Sequence, residues 1–261
     1  MKSLLLLVFI ILMQNVNATI FGVIVSYNNK LIFYDIENNS RKDIISIENL
    51  SLWEFGRCYS KNGDYILTLY KSSDYHYFNK TGYISEMVVN FDGENAVCKI
   101  DTIIKKEAFY RQCDSTMEKL TISNIKDLYC YRSSLSDDAG SIHIKDSVGN
   151  VIPILKPKQV ENGYSIGFFN PSLSPKGNRI VCEKIFGKHN WKKRHGKSVI
   201  VEYDIEKELF NEWNLVGKRP LYSKDGCYLL YQSGKTCCVY DINNKKELLR
   251  CNGEQAIWVD L

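Results

Sequence analysis

Short apolar runs separated by polar turns follow one another along most of the chain. Within residues 223–244, the apolar runs 228–231 and 237–240 are bounded by turns at 224–226, 233–234 and 241–244. Short β-rich runs bounded by Gly, Asn and Asp are typical of antiparallel strands that follow one another in a meander. The pattern therefore predicts an all-β fold.

Two turn markers recur along the chain. A serine begins a turn that ends in glycine at 60–63, 174–177 and 223–226, with a weaker copy at 123–126. An aspartate ends a later strand at Asp35, Asp92, Asp146, Asp204 and Asp241. A period of about 50 residues with about four strands per unit indicates a β-propeller, because solenoids repeat at shorter intervals. Four blades are predicted at about 53–103, 117–156, 166–214 and 217–252.

The two ends of the chain supply the remaining blade. Residues 23–39 align without gaps with 229–245 but lack a first strand, whereas residues 255–259 align with 219–223, a first strand without its blade. We predict that 255–259 pairs with the strand near 23–25, which closes the ring and removes two exposed sheet edges. The predicted fold is thus an all-β propeller of five four-stranded antiparallel blades. Six blades is the alternative if the connector 104–116 contains a degenerate unit.

Two segments resemble the repeat of TolB-type, WD40-like β-propellers. In that repeat an aromatic residue precedes Ser-Pro-Asp-Gly and an apolar strand, and residues 169–181 and 221–231 follow this order. Residues 59–69 match the repeat fairly well, and blade 3 matches it poorly. The proline of the motif is kept only in blade 4, as Pro175, and its aspartate only in blade 5, as Asp225. The motif encodes a turn in which Gly takes a positive φ. The resemblance implies an exported, non-catalytic interaction protein.

The N-terminus has the features of a signal peptide. Lys2 precedes an apolar run at 4–13, and Val16 and Ala18 are small enough for a signal peptidase site. The run is shorter than the about 20 residues that span a bilayer. We predict a signal peptide at 1–18, a single β-propeller domain at 19–261, a secreted or periplasmic location and no transmembrane anchor after removal of the signal. An uncleaved anchor is the alternative.

Nine cysteines in an exported chain suggest disulfides, and an odd number leaves at least one thiol outside an intramolecular bridge. If strands three and four of blade 5 turn around Asn244 and Lys245, Cys238 and Cys251 face each other. Their disulfide is a hypothesis; burial as small apolar residues is the alternative. The cysteine and histidine spacings lack a zinc pattern, so no metal site and no cofactor are predicted.

The formal net charge of +4 is unevenly distributed, because six cationic residues and no acidic ones occur in 184–197. Strand alternation places this segment and the insertion 70–82 on the face opposite the tight turns, where irregular loops often carry function. The candidate binding residues in these two segments are Lys188, His189, Trp191, Lys192, Lys193, Arg194, His195, Tyr75, His76 and Tyr77. The expected partner is a protein or an anionic glycan or surface, and no nucleic acid is expected. A solvated basic loop is the alternative.

The sequence favours a binding or scaffold propeller without catalytic residues, although it leaves catalysis open. The alternative is a carbohydrate-active enzyme, a glycoside hydrolase or lyase, that uses carboxylates at the pore mouth. The candidates are Glu54, Glu118 and Glu254, since paired carboxylates suffice for glycoside hydrolysis. Cationic residues have similar positions in their blades, namely Lys119, Lys218 and Arg219. Salt bridges that alternate around the pore would therefore account for the three glutamates without catalysis.

Overall fold

The computed structural model describes residues 21–61, 64–72, 83–91, 96–105, 129–132, 140–145, 151–160, 164–188 and 193–259. In this part of the chain the secondary structure is almost entirely antiparallel β-sheet, with one 3-10 helix at Leu50–Leu52. Five separate sheets follow one another along the sequence, and each is one blade.

The strands of each blade are as follows. Blade 1 contains β1 (Gly22–Tyr27), β2 (Lys30–Asp35) and β3 (Ser40–Ser46), and blade 2 contains β4 (Glu54–Lys61), β5 (Asp64–Ser72), β6 (Tyr83–Phe91) and β7 (Ala96–Lys105). Blade 3 contains β8 (Tyr129–Arg132), β9 (Ile142–Lys145) and β10 (Val151–Leu155). Blade 4 contains β11 (Lys158–Val160), β12 (Tyr164–Leu173), β13 (Arg179–Lys188), β14 (Lys193–Asp204) and β15 (Leu209–Val216). Blade 5 contains β16 (Lys218–Tyr222), β17 (Tyr228–Ser233), β18 (Thr236–Asp241) and β19 (Lys246–Asn252), and β20 (Gln255–Trp258) completes blade 1.

The C-terminal strand closes the first blade. β20 lies antiparallel beside β1, with Val23 opposite Trp258 and Val25 opposite Ala256, so the strand order is β20-β1-β2-β3. The predicted pairing of the two ends is confirmed. The chain is therefore an all-β propeller closed by pairing of its N- and C-terminal strands, and the described residues form five blades.

Blades 3 and 4 differ from the four-strand pattern. Blade 4 has an added strand, because β11 pairs with the free inner edge of β12, Val160 opposite Tyr164. In blade 3 the described residues provide three strands, and the segment 117–128, where its first strand was predicted, lies outside them. Of the predicted connector 104–116, residues 104 and 105 end β7, and residues 106–116 lie outside the described residues.

In the described part of the chain, the serines of blades 4 and 5 and the aspartates of blades 1, 4 and 5 form the tight turns that the sequence predicted. In blades 4 and 5, Gly177 and Gly226 take φ values of 72° and 74° and donate their N–H groups to the carbonyls of Ser174 and Ser223. The carboxylates of the repeat aspartates accept a hydrogen bond from the N–H three residues later, at 2.9–3.0 Å. The pairs are Asp35 with Asn38, Asp204 with Lys207, and Asp241 with Asn244. A local side-chain bond of this kind specifies a turn without tertiary contacts.

Hydrophobic clusters fill the spaces between neighbouring blades. Successive residues of a strand point to opposite faces, so one blade can contribute to two clusters, as blades 1, 4 and 5 do in the described part of the chain. In β17, Leu229 packs towards blade 4 and Leu230 towards blade 1. The described clusters lie between blades 1 and 2 (Ile24, Leu31, Leu67, Val89), 3 and 4 (Ile142, Ile144, Ile180, Val201), 4 and 5 (Val181, Ile200, Leu229, Cys238), and 5 and 1 (Val23, Val25, Leu230, Val239).

Candidate functional site

The connection between the second and third strands differs in length among the blades. In blades 1 and 5 it is a two-residue turn, and Asn28 and Asn29 in blade 1 both have positive φ, 49° and 62°. Such values fit the type I′ turn that joins hairpin strands. In blade 4 the pair Lys184 and Val199 corresponds to the last pair of the blade 5 hairpin, Ser233 and Thr236. Residues 185–198 therefore replace a turn of two residues.

We call residues 184–197 the basic hairpin, because most of them lie on paired strands. Phe186 lies opposite His195, Gly187 opposite Arg194, and Lys188 opposite Lys193. The sequence-based interpretation of 185–197 as an irregular loop is wrong for these residues. Only 189–192 separate β13 from β14. Strand pairing fixes the backbone of the cationic positions, which a solvated loop would leave variable.

The structure places the predicted binding residues in two groups. Lys188, Lys193, Arg194 and His195 lie on the strands of the basic hairpin. His189, Trp191, Lys192, Tyr75, His76 and Tyr77 lie outside the described residues. The contribution of all ten residues to binding stays a prediction.

One of the six cationic residues has a partner within blade 4. Lys184 Nζ lies 2.5 Å from Glu212 Oε1 on β15, in a half-exposed ion pair. Pairing of this kind neutralises Lys184 locally, and an exposed ion pair contributes little to stability. The other five cationic positions of the hairpin follow Lys184 in the sequence, at 188, 192, 193, 194 and 197.

Two aromatic residues that the sequence analysis did not identify as candidates stack on each other, one within the basic hairpin and one on the neighbouring strand β12. The rings of Tyr164 on β12 and Phe186 on β13 stack with centroids 5.0 Å apart and an angle of 3° between their planes. Phe186 is 43% exposed. The two residues lie far apart in sequence and meet only through the register of β12 and β13. Tyr164 lies opposite Lys188, which is two residues from Phe186 on the same strand, so the two rings are diagonal neighbours on one face of the sheet. No local sequence signal identifies such a pair.

A buried carboxylate joins blades 4 and 5 beneath the basic hairpin. Glu183 is fully buried, and its Oε1 accepts hydrogen bonds from the Asn170 side-chain amide and from the Arg219 N–H, the latter at 2.8 Å. Asn170 and Arg219 have φ values of 47° and 51° and lie where the first strands of their blades are bulged. Among the described residues, Glu183 Oε2 has no hydrogen-bond partner.

The same end of the propeller carries two further polar links between blades. Gln232 Nε2 donates to the Glu254 carbonyl at 2.8 Å, which joins blade 5 to blade 1. The Gln255 amide donates to the Trp53 carbonyl and accepts from the Phe55 N–H, which joins blade 1 to blade 2. These links fix the inner strands relative to one another at the face that carries the basic hairpin.

The carboxylates proposed for a hydrolase have no demonstrated catalytic arrangement. Glu254 is exposed, and its described contacts are made by its backbone, with Ser26 and Gln232. Glu54 begins β4, and Glu118 lies outside the described residues. The enzyme alternative therefore stays a hypothesis. Among the described residues, no group of three or more His, Cys, Asp or Glu is arranged to hold a metal ion.

The register of blade 5 corrects the predicted neighbours of Cys251. Cys251 lies opposite Cys237, and Cys238 lies opposite Arg250. The prediction centred the turn on Asn244 and Lys245, but the observed turn consists of the four residues 242–245. A bulge between Val239 and Tyr240 then changes the register once more. At the cysteines, the observed register differs from the predicted one by one residue. All three thiols are free in the structure. For a disulfide between these strands, we propose Cys237 rather than Cys238 as the partner of Cys251.

Burial keeps these thiols protonated. Desolvation is the main cause that raises the pKa of Cys237 to about 12 and that of Cys251 to about 11. The thiolate is the nucleophilic and metal-binding form, and it is a minor species at neutral pH for such groups. The pair is therefore a packing element between blades 5 and 1 rather than a reactive centre.

Comparison with known proteins gives no family. No protein-family model matches the chain, and no curated protein matches it. Similar solved structures include a chain of the nidogen–laminin complex (9% identity, TM-score 0.36, 89% of this chain and 93% of that one) and a putative TolB from Agrobacterium tumefaciens (11% identity, TM-score 0.31, 90% and 79%). Another is the tricorn protease (12% identity, TM-score 0.38), of which this chain spans 27%. At such low TM-scores the similarities carry no functional argument, and the fold assignment rests on the strand order.

Within the described residues, no helix is long and apolar enough to cross a membrane.

Proposed function

We propose that this protein is an exported, non-catalytic binding propeller that recognises an anionic partner through the basic hairpin of blade 4. The observation that supports this most directly is the extension of β13 and β14 beyond the two-residue turn that suffices in blade 5. The extension holds five cationic residues and no acidic one, at positions 188, 192, 193, 194 and 197. Like charges held together on paired strands repel one another, and an anionic partner relieves that repulsion.

Charge of this kind acts mainly on the rate of encounter and on its salt dependence. A cationic surface attracts an anionic partner over about one Debye length, which is about 8 Å at physiological ionic strength. Binding should therefore weaken steeply as salt is added. The exported location rests on the N-terminal residues 1–18, which lie outside the described residues.

The test replaces Lys188, Lys193 and Arg194 with Ser and measures binding to two immobilised polyanions, heparin and polyglutamate, over a series of salt concentrations. We expect the triple variant to lose at least about tenfold in affinity for both polymers at low salt and to show a smaller salt slope. A matched control removes three exposed cations elsewhere, Lys42, Lys176 and Lys246, also by Ser.

The control variant has the same net charge as the test variant, so it separates a local site from general attraction. We expect the control to bind nearly as the parent does. Equal losses in the two variants would show that net charge alone governs binding. An unchanged affinity and salt slope in the test variant would exclude the basic hairpin as the recognition site.

A further inference from the structure

Aromatic and cationic positions share one face of the sheet that forms the basic hairpin. In the register of β12, β13 and β14, Tyr164 lies opposite Lys188, which lies opposite Lys193. The adjacent row on the same face contains Ile166, Phe186 and His195. Residues directly opposite in antiparallel strands share a face, and so do residues two apart along one strand. Two neighbouring rows therefore combine a flat apolar surface with cationic positions.

The aromatic part of this face is accessible. Phe186 is 43% exposed although its ring is stacked almost parallel to that of Tyr164. Stacking fixes the orientation of both rings, and strand pairing fixes the backbone beneath them. A surface that is fixed before binding loses little conformational entropy when a ligand settles on it.

We propose that this face binds an acidic polysaccharide. A pyranose ring presents a flat C–H face that packs on the exposed ring of Phe186, and carboxylate or sulfate groups at the edge of the sugar then meet the cationic positions 188 and 193. An acidic peptide offers the charge without a flat apolar face. Nucleic acid offers stacking and charge together, but the polysaccharide fits the exported location proposed above. This inference rests on the proposed function and specifies its ligand class.

The test compares Phe186→Ala with Phe210→Ala. Phe210 is a close control, since it is 45% exposed, stacks on Phe168 at 5.5 Å and lies on β15 outside the basic hairpin. Binding is measured to heparin, polygalacturonate, polyglutamate and a thymidine oligonucleotide. We expect Phe186→Ala to lose about three- to tenfold in affinity for the preferred polysaccharide, the range of one aromatic stacking contact, with an unchanged salt slope.

The expected pattern is specific to the ring. Affinity for polyglutamate should be the same in Phe186→Ala and the parent, and Phe210→Ala should bind every polymer as the parent does. Phe186→Leu, which keeps apolar packing without a flat ring, should show the same loss as Phe186→Ala. Melting curves of all variants show whether the fold is kept, and Phe186→Leu serves as the test variant if the alanine variant is unstable.

Three results would overturn the inference. In the first, the Phe186 variants bind both polysaccharides with the affinity of the parent. In the second, they lose as much affinity for polyglutamate as for the polysaccharides. In the third, the parent binds the oligonucleotide more tightly than either polysaccharide. The proposed function fails in a different way, when the charge variant of the hairpin binds heparin and polyglutamate as the parent does. If the charge variant loses binding and the Phe186 variants keep it, the proposed function stands, and this face does not select acidic polysaccharides.

Discussion

Single buried polar residues in this propeller join neighbouring blades. The Tyr222 hydroxyl on the first strand of blade 5 donates to Glu202 Oε1 on blade 4 at 2.5 Å, and Glu202 is only 4% exposed. Burial, followed by the nearby Glu202 carboxylate, holds the pKa of Tyr222 well above its usual value. The phenol therefore stays protonated and remains a donor. A hydrogen bond to a buried charged group contributes more to stability than an exposed one.

We expect Tyr222→Phe to lower the free energy of unfolding by about 1.5–3 kcal/mol, because it leaves the buried Glu202 carboxylate with a missing donor. Tyr231→Phe is the matched comparison. The Tyr231 hydroxyl donates to Glu247 at 3.1 Å, but Glu247 is more exposed. Its ion pair with Arg250, at 2.6 Å, is also shorter than the 3.7 Å ion pair of Glu202 with Arg179. The loss in Tyr231→Phe should be less than about 1 kcal/mol. Urea denaturation of both variants gives the two values, and equal losses would contradict the role assigned to Glu202.

At the scale of an element, the turn after the third strand depends on an ionised aspartate. The N–H of Asn244, followed by its side-chain amide, holds the pKa of Asp241 below its usual value, and the N–H of Lys207 does the same for Asp204. A carboxylate whose pKa is lower in the folded state stabilises the fold above its unfolded pKa of about 3.9. That contribution is lost as the pH falls through the lowered folded value.

We expect Asp241→Asn to reduce the acid sensitivity of the protein. At pH 7 the variant should lose about 0.5–1 kcal/mol of stability, since the neutral amide oxygen of Asn accepts the same turn hydrogen bond more weakly than a carboxylate does. Between about pH 4 and 2 the parent should lose stability faster than the variant, because only the parent must protonate this carboxylate. Denaturation across this pH range tests it, with the exposed turn residue Glu206→Gln as control. Parallel curves for parent and Asp241→Asn would refute the expectation.

Local chemistry explains which elements could be predicted from the sequence. The aspartate and glycine turns form their own bonds, and residues 22–46 repeat the strand boundaries of 228–252, so turns, strand order and closure were all readable. The bulges were not, because a strand buried on both faces, such as β18, has no alternating pattern whose phase an added residue could shift. Cys251 was therefore paired with the wrong neighbour, and the meeting of Tyr164 with Phe186 was missed. β11 was missed as well, because its three residues become a strand only by pairing with the edge of β12.

At the scale of the whole molecule, β20 lies between two inter-blade clusters. Trp258 belongs to the cluster between blades 5 and 1, and Val259 to the cluster between blades 1 and 2. The Trp258 indole N–H donates to the Leu221 carbonyl at 3.1 Å, and the Gln255 side chain bonds to blade 2. One short strand therefore closes blade 1 and also fixes both of its neighbours.

Removal of residues 253–261 should destabilise the protein far more than removal of 260–261 alone. The longer deletion exposes the edge of β1 and removes Trp258 and Val259, both less than 10% exposed, from two clusters. Full burial of one large apolar side chain contributes about 1.5–3 kcal/mol, so we expect a loss of more than about 4 kcal/mol, a large part of the stability of a typical domain. The peptide 253–261 added in excess should raise the melting temperature of the truncated chain in a concentration-dependent manner, since it binds the folded state alone. A truncated chain that melts with the full-length protein would show that blade 1 does not need β20.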